Sequence, residues 1–168
     1  HLGYGNFAHG SFPEMVEMGL TVCLGSDASP AGGFVDIVKN MYLAANAHRD
    51  ARLDPSVMGI ETVIEMATIN GAKSALWEDE IGSLEKGKKA DLVMFDMSGP
   101  EWFPRFNPLF NLVHTSNGTN ADTSVIDGKV VMEGGRVLGI DESALLKEVE
   151  ACGKRILKRA GLSHLNKT

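Results

Sequence analysis

Two glycine turns, Asp127-Gly128 and Gly134-Gly135, divide the stretch from Asp122 to Leu138 into three short β segments, and this constrains the fold more than any other feature. Asp-Gly and Gly-Gly pairs supply the left-handed backbone that a tight hairpin demands. With Val125-Ile126, Lys129-Val130-Val131-Met132 and Val137-Leu138 on the three arms, the stretch is predicted to be an antiparallel meander. Just before it, Ala90-Asp91-Leu92-Val93-Met94-Phe95-Asp96 is one continuous apolar run bracketed by aspartates, the pattern of a strand buried on both faces. Pro100, Pro104 and Pro108 break up the residues between, so Asn107 to Val113 is read as a packed connection holding a short helical turn.

Residues 1–79 have a different texture. Ser11 as N-cap, Pro13 in the first turn and Gly19 as a stop mark a short helix over Phe12–Gly19. Thr21-Val22-Cys23-Leu24 then suits a buried strand, and Val35, Val38, Met41, Tyr42 and Ala45 keep helical spacing in a helix that runs to Arg49. Pro55-Ser56 opens a further helix, carrying Val57, Ile60, Val63, Ile64 and Ala67, with a break at Asn70-Gly71. Strands and helices in this succession have α/β character. The chain closes with a helix from Asp141 to Arg159, capped by Asp141 and apolar at Leu145, Leu146, Val149, Cys152 and Ile156.

The chain of 168 residues is 43% hydrophobic and 23% charged, enough for one core. Its net charge of -6 and the absence of any basic cluster beyond Lys86-Gly87-Lys88-Lys89 exclude an electrostatic footprint for nucleic acid. Partners are therefore expected among small molecules and other proteins. Cys23 and Cys152 form no CxxC pattern, which favours reduced thiols in a cytoplasmic protein. No run of about 18 apolar residues suggests a membrane span. The start at His1 is expected to mean that a leader or tag was removed or that this is the back part of a longer protein.

One acid stands out. In "TVCLGSDAS" the apolar strand stops at Gly25-Ser26 and Asp27 opens a loop of Ala, Ser, Pro and Gly. A carboxylate just past a strand end lies where parallel α/β proteins build their active sites. The local pattern by itself slightly favours a loop cap or Asx-turn.

Four stretches carry a resemblance that bears on this choice: "FPEMVEMGLTVCLGSDAS", "VIEMATINGAKSALWEDEIGSLEKGKKADLVMFD", "NPLFNLVHTSNGTNADTSVIDGKVVMEGGRV", and the helical tail. In this order they resemble the C-terminal part of the amidohydrolase superfamily, in the chlorohydrolase and aminohydrolase group that includes guanine- and adenosine-type deaminases. The resemblance implies the C-terminal portion of a metal-dependent (β/α)8 TIM barrel in residues 1–79. It implies part of a small β-sandwich in 80–140, and in 141–168 a helix packing back on barrel or sandwich. A complete barrel takes about 250 residues, so the resemblance implies the back third of an enzyme, inactive by itself.

On that resemblance Asp27 matches the family's aspartate at the end of the eighth barrel strand. It binds a divalent metal, zinc or alternatively iron, and shuttles a proton for the attacking water. The reaction implied is hydrolytic deamination or dechlorination of a heterocyclic small molecule. The other ligands the family uses are histidines in earlier barrel segments. Asn6, His9 and Ser29 are the candidates for substrate contact, His9 in a segment that resembles the loop after the seventh strand. His48 stands late in a helix where a cation is favourable, His114 in the connection and His164 in the tail, all read as structural. Barrel strands outside this stretch would leave apolar surface to be covered by self-association or by the rest of the barrel.

No histidine pair has HxH or HExxH spacing, no G-x-S-x-G accompanies Ser26 or Ser29, and the glycine pairs lack P-loop context. An independent zinc site, a serine hydrolase and a nucleotide-binding loop are therefore not expected. Two alternatives stay open: a cyclic-amide hydrolase of the imidazolonepropionase or dihydroorotase kind, since "GSLEKGKKADLVMFD" is shared across the superfamily, and a non-catalytic assembly module.

Overall fold

The structure, a computed structural model, describes residues 9–27 and 35–165. The chain divides into two compact units, His1–Arg136 and Val137–Thr168.

In the first unit, helix α1 (Phe12–Glu17) begins with Pro13 in its first turn and ends before Gly19, which takes φ +76°. Ser11 occupies the N-cap position but its side chain makes no cap hydrogen bond, so the cap expected there is positional only. Helix α2 (Ile37–Arg52) starts two residues later than its apolar spacing suggests, because Asp36 is the cap: its Oδ1 accepts from Val38 N at 2.9 Å and Lys39 N at 3.1 Å. Asp36 Oδ2 also accepts from Gly118 N at 3.1 Å, which ties the start of α2 to a distant turn. The buried face of α2 is Val38, Met41, Ala44, Ala45 and His48. Val35 and Tyr42, expected in that face, are exposed, and His48, expected as a cation at the helix end, is 1% exposed. The stripe is rotated because α2 packs its 38-41-45-48 row, a helical i, i+3, i+4 repeat, into the core.

The helix expected from Pro55 begins later. Asp54 Oδ1 accepts from Ser56 N and Oγ, closing a turn over Asp54-Pro55-Ser56, and α3 (Ile60–Ala67) follows. The break falls at Thr68 rather than at Asn70-Gly71: Thr68 leaves helical geometry and its Oγ1 donates back to Ile64 O at 2.7 Å. Helix α4 (Ile69–Ser74) resumes at once. The core joins Val22, Val38, Met41, Ala44, Ala45, Met58, Val63, Met66 and Val113. Each fully buried Val or Met side chain here contributes about 1.5–3 kcal/mol relative to exposure.

Gly82 is required by packing. It has φ +91°, and a Cβ there would lie 2.8 Å from the Ala72 Cβ, so the turn after α4 lies directly on that helix only as glycine.

The meander forms as expected. Strands β1 (Leu92–Phe95), β2 (Ala121–Ile126), β3 (Lys129–Glu133) and β4 (Arg136–Val137) make an antiparallel sheet in sequence order. Asp127 and Gly128 have φ +49° and +74°, and Gly134 and Gly135 have +57° and +71°, the left-handed pairs of type I′ hairpin turns. The register runs from Leu92 opposite Val125 to Phe95 opposite Ala121, with a bulge at Met94/Phe95. Asp91, one of the bracketing aspartates, accepts from Asp127 N at 2.6 Å and so docks the first hairpin turn onto the start of β1.

Burial of β1 departs from the expectation. Val93 and Met94 are 49% and 51% exposed. Among the described residues β1 pairs only with β2, so it is an edge strand, and its continuous apolar run is not buried on both faces. Between β1 and β2 lies the connection the prolines predicted. It contains α5 (Pro108–His114), whose cap Asn107 Oδ1 accepts from Leu109 N at 3.0 Å and Phe110 N at 3.1 Å.

The second unit is dominated by α6 (Glu142–Arg159). Asp141 Oδ1 accepts from Ala144 N at 2.9 Å, the expected cap. Its apolar positions Leu145, Leu146, Val149 and Ile156 are exposed. Among the described residues no helix is long and apolar enough to cross a membrane.

Candidate active site

The stretch expected to be a strand, Thr21–Leu24, forms no ladder among the described residues. A strand needs a neighbour for its backbone groups, and here those groups turn to the helices instead. Leu24 N donates to Met66 O at 2.9 Å, and Asn70 Nδ2 donates to Val22 O at 3.1 Å. Val22 is buried in the core while Cys23 faces out, its Sγ 3.5 Å from Ser74 Oγ. The α3–α4 junction thus sets where this segment lies.

Asp27 follows on the same segment; it is exposed and has φ +56°. Aspartate is one of the few L-residues that adopts this left-handed conformation readily. Asp27 thus stands three residues beyond the anchor at Leu24. His9 is also exposed, next to Gly10 at the start of α1. Asn6 and Ser29 lie outside the described residues.

Under the segment is a cavity of about 110 Å³, bounded by Phe12, Leu24, Gly25 and His48. The His48 imidazole meets the Phe12 ring edge-on, with centroids 5.6 Å apart. Its Nδ1 is 3.3 Å from Arg52 Nη1. A guanidinium only donates, so Nδ1 accepts and the ring proton sits on Nε2. Arg52 is also bidentate to Glu14, through Nε to Oε1 at 2.6 Å and Nη2 to Oε2 at 2.7 Å, and Nη2 donates to Gly10 O at 2.9 Å. Hydrogen bonding from Arg52 holds the Glu14 carboxyl down at about 2, and Glu14 in turn raises Arg52.

A carboxyl lowered in the folded state adds stability above its unfolded value, and that stability is lost as pH falls through its folded value. For Glu14 the window runs from the ordinary 4.5 down to about 2. We expect the melting-temperature gap between the wild type and Glu14→Gln to be constant at neutral pH and to close as pH is lowered through that window. A gap that persists under full protonation would mean that the pair is held by something other than charge.

Two further histidines, His114 and His164, lie away from this cluster. His114 stacks on Phe110 at 4.5 Å, its Nδ1 is 3.3 Å from Asn46 Nδ2, and burial, with Arg49 nearby, pushes its imidazole below the ordinary value. His164 is exposed in a short turn, Ser163–Leu165. A second cavity, about 430 Å³, lies between the start of α2 and the sheet, among Asp36, Phe95, Gly118 and Met132. It includes neither Asp27 nor His9.

Sequence reasoning missed the Glu14–Arg52–His48 cluster. His48 and Arg52 stand one helical turn apart, and that i, i+4 spacing was the available signal. Glu14 is far away in sequence, and nothing local pointed to it.

A catalytic zinc takes three protein ligands and leaves one position open. Among the described residues no three His, Cys, Asp or Glu side chains come together to hold a metal ion. These residues therefore offer Asp27 as a candidate ligand and do not by themselves fit a metal.

The chain matches the Amidohydrolase family over residues 10–131, from α1 through Asp27 and the α3–α4 junction into β3. It is 34% identical over 145 residues to a 5-methylthioadenosine/S-adenosylhomocysteine deaminase of Acetivibrio thermocellus, covering 86% of this chain and 34% of that protein. An adenosine deaminase from Xanthomonas campestris with bound zinc superposes with a TM-score of 0.84 at 25% identity, over 87% of this chain and 33% of that one. Atrazine chlorohydrolase from Arthrobacter aurescens TC1, complexed with zinc, superposes with a TM-score of 0.74 at 26% identity, over 83% of this chain and 31% of that one. The chain thus spans about a third of the length of the curated relatives it matches. The family match runs over residues 10–131, well over half of the sequence, and the chain belongs to the amidohydrolase family.

Proposed function

We propose that the protein carrying this chain is a metal-dependent hydrolase that removes an amino group from a nitrogen heterocycle of the adenosine type. The observation that carries this is the 34% identity with a 5-methylthioadenosine/S-adenosylhomocysteine deaminase across 86% of the chain, with Asp27 inside the family match. Asp27 is the catalytic residue in this reading. Its carboxylate accepts a proton from the water that attacks the amine-bearing ring carbon, and returns it to the departing nitrogen, so that ammonia leaves and a carbonyl remains. A carboxylate does both jobs because it is ionised at neutral pH and its conjugate acid is strong enough to protonate a leaving amine.

The bound zinc of the neighbouring structures supports a divalent metal, zinc in first place and iron as the alternative. Asp27 is its candidate ligand in this chain, and the rest of the set would come from residues other than those described. His9, Asn6 and Ser29 line the substrate pocket in the same reading. Two free thiols, Cys23 and Cys152, favour the cytoplasm. Exposed apolar side chains such as Val93, Met94 and Phe106 favour a covering partner, either the remainder of the barrel or a second copy.

The likeness to atrazine chlorohydrolase supports dechlorination as a second reading. The two are separated by their leaving groups. The protein as encoded, supplied with zinc, is expected to release ammonia from a 5′-modified adenosine and little or no chloride from a chlorotriazine. Chloride release with no ammonia would transfer the assignment to dechlorination, and release of neither would remove the hydrolase reading for these substrates.

A further inference from the structure

We propose that Arg52 is a positioning residue for substrate contact at His9, an inference that rests on the pocket role given to His9 above. Arg52 ends α2 and spends all three guanidinium nitrogens on fixed partners: both oxygens of Glu14, the Gly10 carbonyl and His48 Nδ1. Only one of these contacts is to the main chain, and it falls on the residue directly after His9. The opposite side of Gly10 is closed as well, since a Cβ there would collide with the Phe12 ring. Phe12 is in turn stacked edge-on against the buried His48. Gly10 is thus gripped between a guanidinium on its carbonyl and an aromatic ring at its Cα.

This arrangement does more than join two helices. A surface ion pair between α1 and α2 would need only Glu14, and such a pair, with Glu14 49% exposed, is screened by water. The bond to Gly10 O fixes the direction in which the chain leaves α1 toward His9. The planar fork is needed for the geometry: a lysine could keep the charge but not two parallel bonds to Glu14 together with one to Gly10. Misplacing a binding group by even about 1 Å is costly to a reaction that depends on orientation.

The test uses the protein as encoded, assayed for ammonia release from a 5′-modified adenosine. Arg52→Gln is expected to raise KM about tenfold with kcat within about twofold of the wild type, because substrate contact is lost while the Asp27 chemistry is intact. Arg52→Lys should fall between the two. Glu14→Gln, which keeps the guanidinium on Gly10, should raise KM only about threefold and guards against a failure of Arg52→Gln to fold. Hydrogen exchange read on residues 9–14 should quicken in Arg52→Gln while α3 is unchanged. A lowered melting temperature with KM unchanged would make Arg52 merely structural and overturn the inference, as would unchanged exchange over residues 9–14. A wild type that releases no ammonia would instead bring down the functional reading, and the inference with it.

Discussion

Asp27→Asn is expected to lower kcat/KM for ammonia release by about 10²–10⁴-fold, the usual scale for losing a general acid–base group. The amide keeps the size and shape of the carboxylate but neither takes a proton from water nor returns one. The backbone should accept the change for a specific reason. Asp27 is exposed with φ +56°, and asparagine accepts left-handed backbone as readily as aspartate does. Its melting temperature, measured alongside, separates a fall in activity that reads on chemistry from a loss of fold. Activity retained within about threefold would remove Asp27 from the catalytic role. The local alternative, a loop cap with no part in turnover, makes the opposite forecast: loss of stability with activity intact.

The largest expected effect on stability lies at Trp102. It is 2% exposed, packs its indole against Phe95 of β1 with ring centroids 6.3 Å apart, and sits in a short turn, Pro100–Trp102. The residue before it, Glu101, holds α5: its carbonyl accepts from Asn111 Nδ2 at 3.2 Å and Thr115 Oγ1 at 2.6 Å. Trp102 therefore anchors the whole connection between β1 and β2. Trp102→Ala should cost about 3–5 kcal/mol, the range for truncating a buried large aromatic. Its indole Nε1 has no hydrogen-bond partner among the described residues, so Trp102→Phe loses area but no hydrogen bond and should cost less than half as much. Chemical denaturation of the two variants checks this. Equal losses would mean that a polar contact of Nε1, rather than apolar burial, holds the ring.

How much of this was legible in the sequence depended on whether the signal was local. The hairpin turns at Asp127-Gly128 and Gly134-Gly135, the cap Asp141, the Pro-led start of α1 and the helical turn within Asn107–Val113 rest on residues a few positions apart, and they formed where the pattern put them, or within a residue or two. Burial was less legible, because it depends on what packs against each face. Leu92–Phe95 reads as a core strand from its composition, yet Val93 and Met94 face water on an edge strand. His48 reads as a helix-end cation but is buried, because the rotation of α2 is set by Val38, Met41 and Ala45 together. Thr21–Leu24 reads as a strand, but its backbone bonds go to Met66 and Asn70, residues that no pattern within the segment identifies.

The candidate site divides in the same way. Asp27 was marked by its place after an apolar run and by resemblance, and in the structure it is exposed, three residues beyond the anchored Leu24. The clamp of Arg52 on Glu14 and Gly10 joins residues 38 and 42 positions apart and leaves no trace in local spacing. What the described residues do not contain is a complete set of metal ligands.

The central claim is that Asp27 works in a metal-dependent deaminase. It is tested most directly by one measurement: ammonia released from a 5′-modified adenosine by the protein as encoded, after chelation and again after zinc is restored, with Asp27→Asn alongside. Chelation should abolish release, zinc should restore it in the wild type, and Asp27→Asn should stay inactive with or without zinc. Release that survives chelation, or that zinc restores equally in Asp27→Asn, would contradict it.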